Sequence, residues 1–201
     1  HKWLKKKNKF IGNMYLDGLY KICSGNDGWI YNESNDLILL IDIKTSGNDT
    51  YKVLEKVLKN YKPMLSYVKN DSFFQGAVTV ILSGNTPDKD YVINSQKRYV
   101  FIDGRASDLG NNISNRIMPL ISINWKDEFK WRGNGKITDE ELIYLNELIS
   151  KIHLENKIIR FWGVPDNQLS WEVLFNSGVD LINTDKVTQL YDFISKKNQL
   201  K

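Results

Sequence analysis

Residues 37–44 read Leu-Ile-Leu-Leu-Ile-Asp-Ile-Lys, and this stretch decides the reading of the chain. An unbroken apolar run of this kind marks a strand buried on both faces, as in parallel sheets covered by helices. Its polar residues come only at the C-terminal end. With the two-residue period of a strand, Asp42 and Lys44 share a face with Ile38 and Leu40, while Leu39, Ile41 and Ile43 point the other way. A charge within a buried strand is costly unless it is paired, hydrogen-bonded or bound to metal. An Asp and a Lys stacked at a strand end suit a hard cation and a phosphate respectively. A plain structural Asp–Lys pair is the alternative.

Five further runs repeat the pattern: 77–83 (AVTVILS), 98–104 (RYVFIDG), 119–124 (PLISIN), 157–163 (KIIRFWG) and 179–185 (VDLINTD). Polar residues again gather at the C-terminal ends: Ser83, Asp103 with Arg105, Ser122 with Asn124, Trp162 with Asp166 beyond it, and Asn183 with Asp185. Parallel α/β folds place their sites at that end of the strands. Amphipathic stretches lie between the runs. Residues 50–61 put Val53, Leu54, Val57, Leu58 and Tyr61 on one face. Thr138 and Glu141 form a capping-box pattern before a stripe of Leu142, Leu145, Leu148, Ile149 and Ile152. Trp171, Leu174 and Phe175 face inward on a shorter helix that Gly178 can close. Val187, Leu190, Tyr191 and Ile194 mark a last helix, with Asp185 as its expected N-cap.

About six strands alternating with helices fit a doubly wound sheet or an incomplete barrel. The barrel is preferred: an α/β (β/α)8 TIM barrel in one domain over 1–201, truncated at its N-terminus, with strands three to eight present and two βα units missing. The chain opens on His1 and not Met, in keeping with that expectation.

The 201 residues, 41% hydrophobic and 26% charged, exclude disordered and collagen-like classes. A net charge of +4 without a dense basic stripe argues against nucleic acid. The run Lys5–Lys6–Lys7 reads as a solvated face and leaves a membrane surface open as a partner. One cysteine, Cys23, excludes an internal disulfide and a Cys-based zinc site. No apolar stretch approaches a membrane span. The compartment and the oligomeric state are left open, with a secreted or periplasmic setting slightly favoured over a cytoplasmic one.

These residues resemble a family. LLIDIKT at 39–45 resembles the third-strand motif of glycerophosphodiester phosphodiesterases and sphingomyelinase D, within the phosphatidylinositol-phospholipase-C-like superfamily. Phe161-Trp162 followed by Pro165-Asp166 resembles their seventh-strand motif, and GVDLINTD at 178–185 their eighth strand. MYLDGLY at 14–20, ILSGNTP at 81–87, YVFIDGR at 99–105 and MPLISINW at 118–125 look like the blocks of a subgroup that includes altered inheritance of mitochondria protein 6. The resemblance covers nearly the whole chain.

It implies a metal-dependent phosphoric diester hydrolase acting on a glycerophosphodiester or a phospholipid-type headgroup. Asp42 would hold Ca²⁺ or Mg²⁺ and Lys44 would contact the substrate. The family's two histidines supply acid–base catalysis, and His1 is placed as the second. The first histidine and a Glu-x-Asp metal pair are expected before residue 1. Trp162 would wall the headgroup, and Ser83, Asn85, Arg105 and Asn183 would shape the pocket. His153 reads as structural or solvated, without a visible partner. Two rivals are a non-catalytic phosphate- or partner-binding barrel and, well below it, a glycoside hydrolase. The latter has no reason to set a lysine beside Asp42.

Overall fold

The alternation of apolar runs and amphipathic helices produces an α/β fold. The computed structural model describes residues 9–31 and 35–199; the chain divides into two units, residues 1–102 and 103–201.

In the first unit a π-helical turn, Gly12–Leu16, leads into α1 (Asp17–Gly25), which buries Cys23. Then follow β1 (Leu37–Ile43), α2 (Gly47–Leu58), a 3₁₀ segment (Lys59–Met64), β2 (Tyr67–Lys69), β3 (Ser72–Phe74), β4 (Val78–Gly84), α3 (Lys89–Ile93), β5 (Lys97–Arg98) and β6 (Val100–Gly104). β1 pairs in parallel with β4, from Leu37 opposite Val78 to Ile43 opposite Gly84, and β4 pairs in parallel with residues 100–102 of β6. Every residue of β4 but the last is buried, whereas β1 lies at the edge of its ladder and is only half-buried along Leu37–Ile41. Burial of β1 on both faces is therefore not realised.

Three details depart from the sequence reading. The run 98–104 is two strands: Arg98 joins an antiparallel sheet of order β3-β2-β5, and the parallel ladder begins at Val100. The β2–β3 turn has Asn70 and Asp71 at φ 48° and 58°, the pair of positive values that a tight hairpin turn matching strand twist requires. On α2 the buried face is Tyr51, Leu54 and Leu58, spaced i, i+3, i+7, and Val53 falls outside it, exposed. Tyr61 is past the helix end and donates its hydroxyl to Asp17 at 2.6 Å.

The second unit contains the end of β6, β7 (Leu120–Asn124), α4 (Trp125–Glu128), α5 (Asp139–Leu154), β8 (Ile158–Trp162), α6 (Gln168–Asn176), β9 (Leu181–Ile182) and α7 (Val187–Gln199). Asp103 and Gly104 pair with β7, β7 with β8 over five residues, and β8 with β9, all in parallel. Ile121, Ile123, Ile159 and Phe161 are buried. Trp125 stacks on Phe129 at 4.1 Å and meets Phe161 edge-on at 5.3 Å, with its Nε1–H donated to the Trp131 carbonyl.

α5 buries Leu145, Leu148, Ile149 and Ile152, while Leu142 is half-buried. Three acids in its first turn and Lys151 and His153 in its last complement the helix dipole. Thr138 does cap it, accepting the Glu141 N–H. The capping box is not closed, because the Glu141 carboxylate is taken by the Lys130 and Trp131 N–H groups. α6 ends before Gly178 at φ 81°. On α7, Leu190 is buried and Phe193 packs against Trp171 and Phe175, leaving Val187 and Tyr191 exposed. The helix starts at Val187, so Lys186 and not Asp185 stands at the N-cap position. No helix of the described residues is long and apolar enough to cross a membrane.

Candidate functional site

In the first unit Asp42 and Lys44 emerge from the end of β1 with Ile43 buried between them, the alternation read from the sequence. Lys44 Nζ lies 2.6 Å from Asp42 Oδ2, and the side chains are 63% and 53% exposed. An ion pair so exposed contributes at most about 1 kcal/mol to stability, so folding alone gives little reason for it.

Asp42 stands opposite Ser83, and beside it Gly84 sits at φ +72°, where a Cβ would overlap Asp42 Oδ1 and the Ile43 carbonyl. Only glycine lets the carboxylate lie against the neighbouring strand in this way. Ser83 is buried; Asn85 is exposed, and its Nδ2 donates to the Thr45 carbonyl at 3.1 Å while its backbone N–H bonds Ile43. The β1–α2 and β4–α3 loops also touch backbone to backbone, since a Cβ on Gly47 would collide with the Asn85 and Thr86 carbonyls. Thus Asp42, Lys44, Ser83 and Asn85 are brought together.

In the second unit, paired strands set Ser122 opposite Arg160 and Asn124 opposite Trp162, forming a polar face. Trp162 is 42% exposed. Arg105 turns back to Asp103, with Nη1 2.9 Å from its carboxylate, and its own N–H is bound by Asp108. Asn183 is exposed and accepts from Arg160 Nε and Nη2 at 3.2 and 2.9 Å.

Arg160 escaped the sequence reading because it stands inside an apolar run, not at its end. The signal was its period-two relation to Trp162. Asp166 also does more than was expected. It accepts Trp171 Nε1–H, the Thr184 hydroxyl and the Asp185 N–H, so that it ties the β8–α6 loop to the segment after β9. Burial alone would raise its carboxyl, but the Thr184, Asp185 and Trp171 hydrogen bonds and the nearby Lys186 outweigh burial and hold it below the ordinary range.

His153 has a partner after all: its Nε2 is 2.9 Å from Asp180 Oδ2, which also accepts the Ile159 N–H. His1 and the Lys5–Lys7 run lie outside the described residues.

Among the described residues no three His, Cys, Asp or Glu side chains converge on a point where they could hold a metal ion. Ca²⁺ takes about six to eight oxygen ligands. Asp42 is one carboxylate facing an ammonium, so the described residues do not by themselves form a divalent-cation site.

Comparison with known proteins supports the resemblance. Residues 25–103 match the AIM6-like phosphodiesterase domain, and residues 159–188 the glycerophosphoryl diester phosphodiesterase family. Altered inheritance of mitochondria protein 6 from Eremothecium gossypii is 30% identical over 216 residues, covering 91% of this chain and 56% of that protein. A homologue from Arthroderma benhamiae is 26% identical, covering 90% of this chain and 58% of that protein. The Kluyveromyces lactis protein is 26% identical, with coverages of 83% and 50%. The chain thus spans about half the length of the curated relatives it matches. No solved structure matches it. The names of the relatives refer to mitochondrial inheritance and lend no support to a secreted or periplasmic setting. The two stretches that match carry Asp42 and Lys44 in one case and Arg160, Trp162 and Asn183 in the other; the first is similar to AIM6-like phosphodiesterase domains and the second to glycerophosphoryl diester phosphodiesterases.

Proposed function

We propose that the protein carrying this chain is a phosphoric diester hydrolase, dependent on Ca²⁺ or Mg²⁺, acting on a glycerophosphodiester or phospholipid-type headgroup. The observation that carries this reading is the exposed Asp42–Lys44 pair at the end of β1, inside the stretch matching a phosphodiesterase domain. Its parallel strands are read as the third to eighth of a (β/α)8 barrel.

Lys44 neutralises phosphoryl oxygens as charge builds in the transition state. Its ammonium now faces Asp42, and an arriving phosphate would share it. Asp42 would supply one donor to a divalent cation whose other donors would come from outside the described residues, and the cation would supply Lewis-acid stabilisation when bound. Ser83 and Asn85, with Arg105, Trp162 and Asn183, are the proposed substrate contacts. Trp162 offers its exposed ring to the alcohol or headgroup, and His1 is the proposed acid that protonates the leaving alkoxide.

A second reading, a non-catalytic phosphate-binding domain, draws on the same ion pair and on the single carboxylate present. The test is hydrolysis of bis-p-nitrophenyl phosphate by the natural-length protein with Ca²⁺ or Mg²⁺. Lys44→Ala should lower kcat/KM by about 10²–10³-fold, and Asp42→Asn and EDTA should each abolish most of the activity. Activity that survives both Asp42→Asn and chelation overturns the metal-dependent reading. Binding of a phosphodiester without turnover favours the second.

A further inference from the structure

The amide of Asn183 has two ends that the surrounding chemistry tells apart. Arg160 Nε and Nη2 both donate to its Oδ1, at 3.2 and 2.9 Å. A guanidinium carries donors only, so the flipped amide would set its NH₂ against two N–H groups. The orientation is therefore fixed, with Asn183 Nδ2 directed away from the guanidinium. Nδ2 has no partner among the described residues, and the side chain is exposed.

The backbone that follows is fixed as well. The Thr184 hydroxyl and the Asp185 N–H are both held by Asp166, at 2.7 and 2.9 Å. Arg160 is itself anchored within β8, opposite Ser122 of β7, whose Oγ lies 3.5 Å from Nη1. Donation into Oδ1 polarises the amide and makes its N–H₂ a stronger donor.

We infer that Arg160 is a positioning residue, which presents the Asn183 N–H₂ to an acceptor oxygen of the ligand. Resting on the phosphodiester reading, that acceptor is an anionic phosphoryl oxygen. A group with donors only, such as a primary ammonium, has no bond to make at this position. The inference separates the two residues by role: Asn183 touches the ligand and Arg160 acts through it.

The experiment uses the natural-length protein and two readouts. In the first, the Asn183 side-chain N–H₂ resonances are followed while dimethyl phosphate is added. They should shift saturably in the wild type, and Arg160→Lys should reduce the shift, since an ammonium cannot reproduce the paired bonds. In the second, bis-p-nitrophenyl phosphate kinetics are measured for Asn183→Ala, Arg160→Lys and the double variant. Asn183→Ala should lower kcat/KM about 10²–10³-fold, most of it in kcat, as for loss of a transition-state donor. Arg160→Lys should lose part of the same effect and add nothing to Asn183→Ala, the non-additivity of residues that act as one unit. Resonances unmoved by dimethyl phosphate, or fully additive variants, overturn the inference. Silence of Asp42→Asn in the hydrolysis assay is a separate outcome: it would remove the metal-dependent reading while the resonance shift still decides the role of Arg160.

Discussion

At the residue scale, Gly84 and Asp166 show how a single position constrains chemistry around it. Gly84 combines φ +72° with the Asp42 carboxylate lying where a Cβ would be. Gly84→Ala is therefore expected to cost about 1–3 kcal/mol through backbone strain, read as a lower urea midpoint, and to displace Asp42. On the phosphodiesterase reading, activity falls with it. Asp166 provides a pH test. Its folded carboxyl is held below the ordinary value, by hydrogen bonds that offset burial. The stabilisation is thus complete above the unfolded value, about 3.9, and is lost as pH falls through the lower folded value. Asp166→Asn should cost about 1–3 kcal/mol at pH 7, with the gap from wild type narrowing below about pH 4. Chemical denaturation at pH 7 and pH 3 measures it; a gap equal at both would mean that the charge contributes nothing.

At the scale of elements, α5 separates two explanations for one sequence signature. Thr138 and Glu141 have the spacing of a capping box, but only the Thr138 half forms. The Glu141 carboxylate holds the N–H groups of Lys130 and Trp131 in the preceding segment, so it joins two parts of the unit. Thr138→Ala should cost about 1 kcal/mol as a lost N-cap. Glu141→Ala should speed amide hydrogen exchange at Lys130 and Trp131 and leave the Thr138 amide unchanged. Faster exchange at Thr138 would instead restore the reciprocal box. A similar substitution of partners occurs on α7, where Phe193, and not Tyr191, meets Trp171 and Phe175.

For the whole molecule, the phosphodiesterase-like domain matches fall in both units, residues 25–103 and 159–188, with Lys44 in the first and Trp162 in the second. The described residues bring no cluster of metal-binding side chains. On the proposed mechanism, residues 1–201 alone should hydrolyse bis-p-nitrophenyl phosphate no faster than background, because an acid–base partner typically supplies about 10²–10⁴ in rate. The natural-length protein should be active in the same assay. Equal activity in both would place the whole machinery within these 201 residues and overturn the assignment of metal donors outside them.

The sequence by itself determined where the parallel strands lie, though not the split of run 98–104 or the shortness of β9, and it determined the phase of Asp42 and Lys44. Continuous apolar runs with terminal polar residues leave few alternatives, and period two put Asp42 and Lys44 on one side and Ile43 on the other. It also determined the main helices and the buried stripe of α5, but not the whole buried face of α2 or α7, where Val53, Val187 and Tyr191 are exposed. Only the tertiary structure decided the partners. Whether a strand is central or at an edge depends on its neighbours, which is why β1 is half-buried and β4 buried. The β2–β3–β5 sheet was invisible, since strands of two or three residues carry too little pattern and gain their order from pairing. Hydrogen-bond partners distant in sequence were invisible for the same reason: Asp180 for His153, Asp166 for Thr184, and Arg160 for Asn183. A side chain's polarity is written in its own residue, but what satisfies it depends on which other segment the fold brings within about 3 Å.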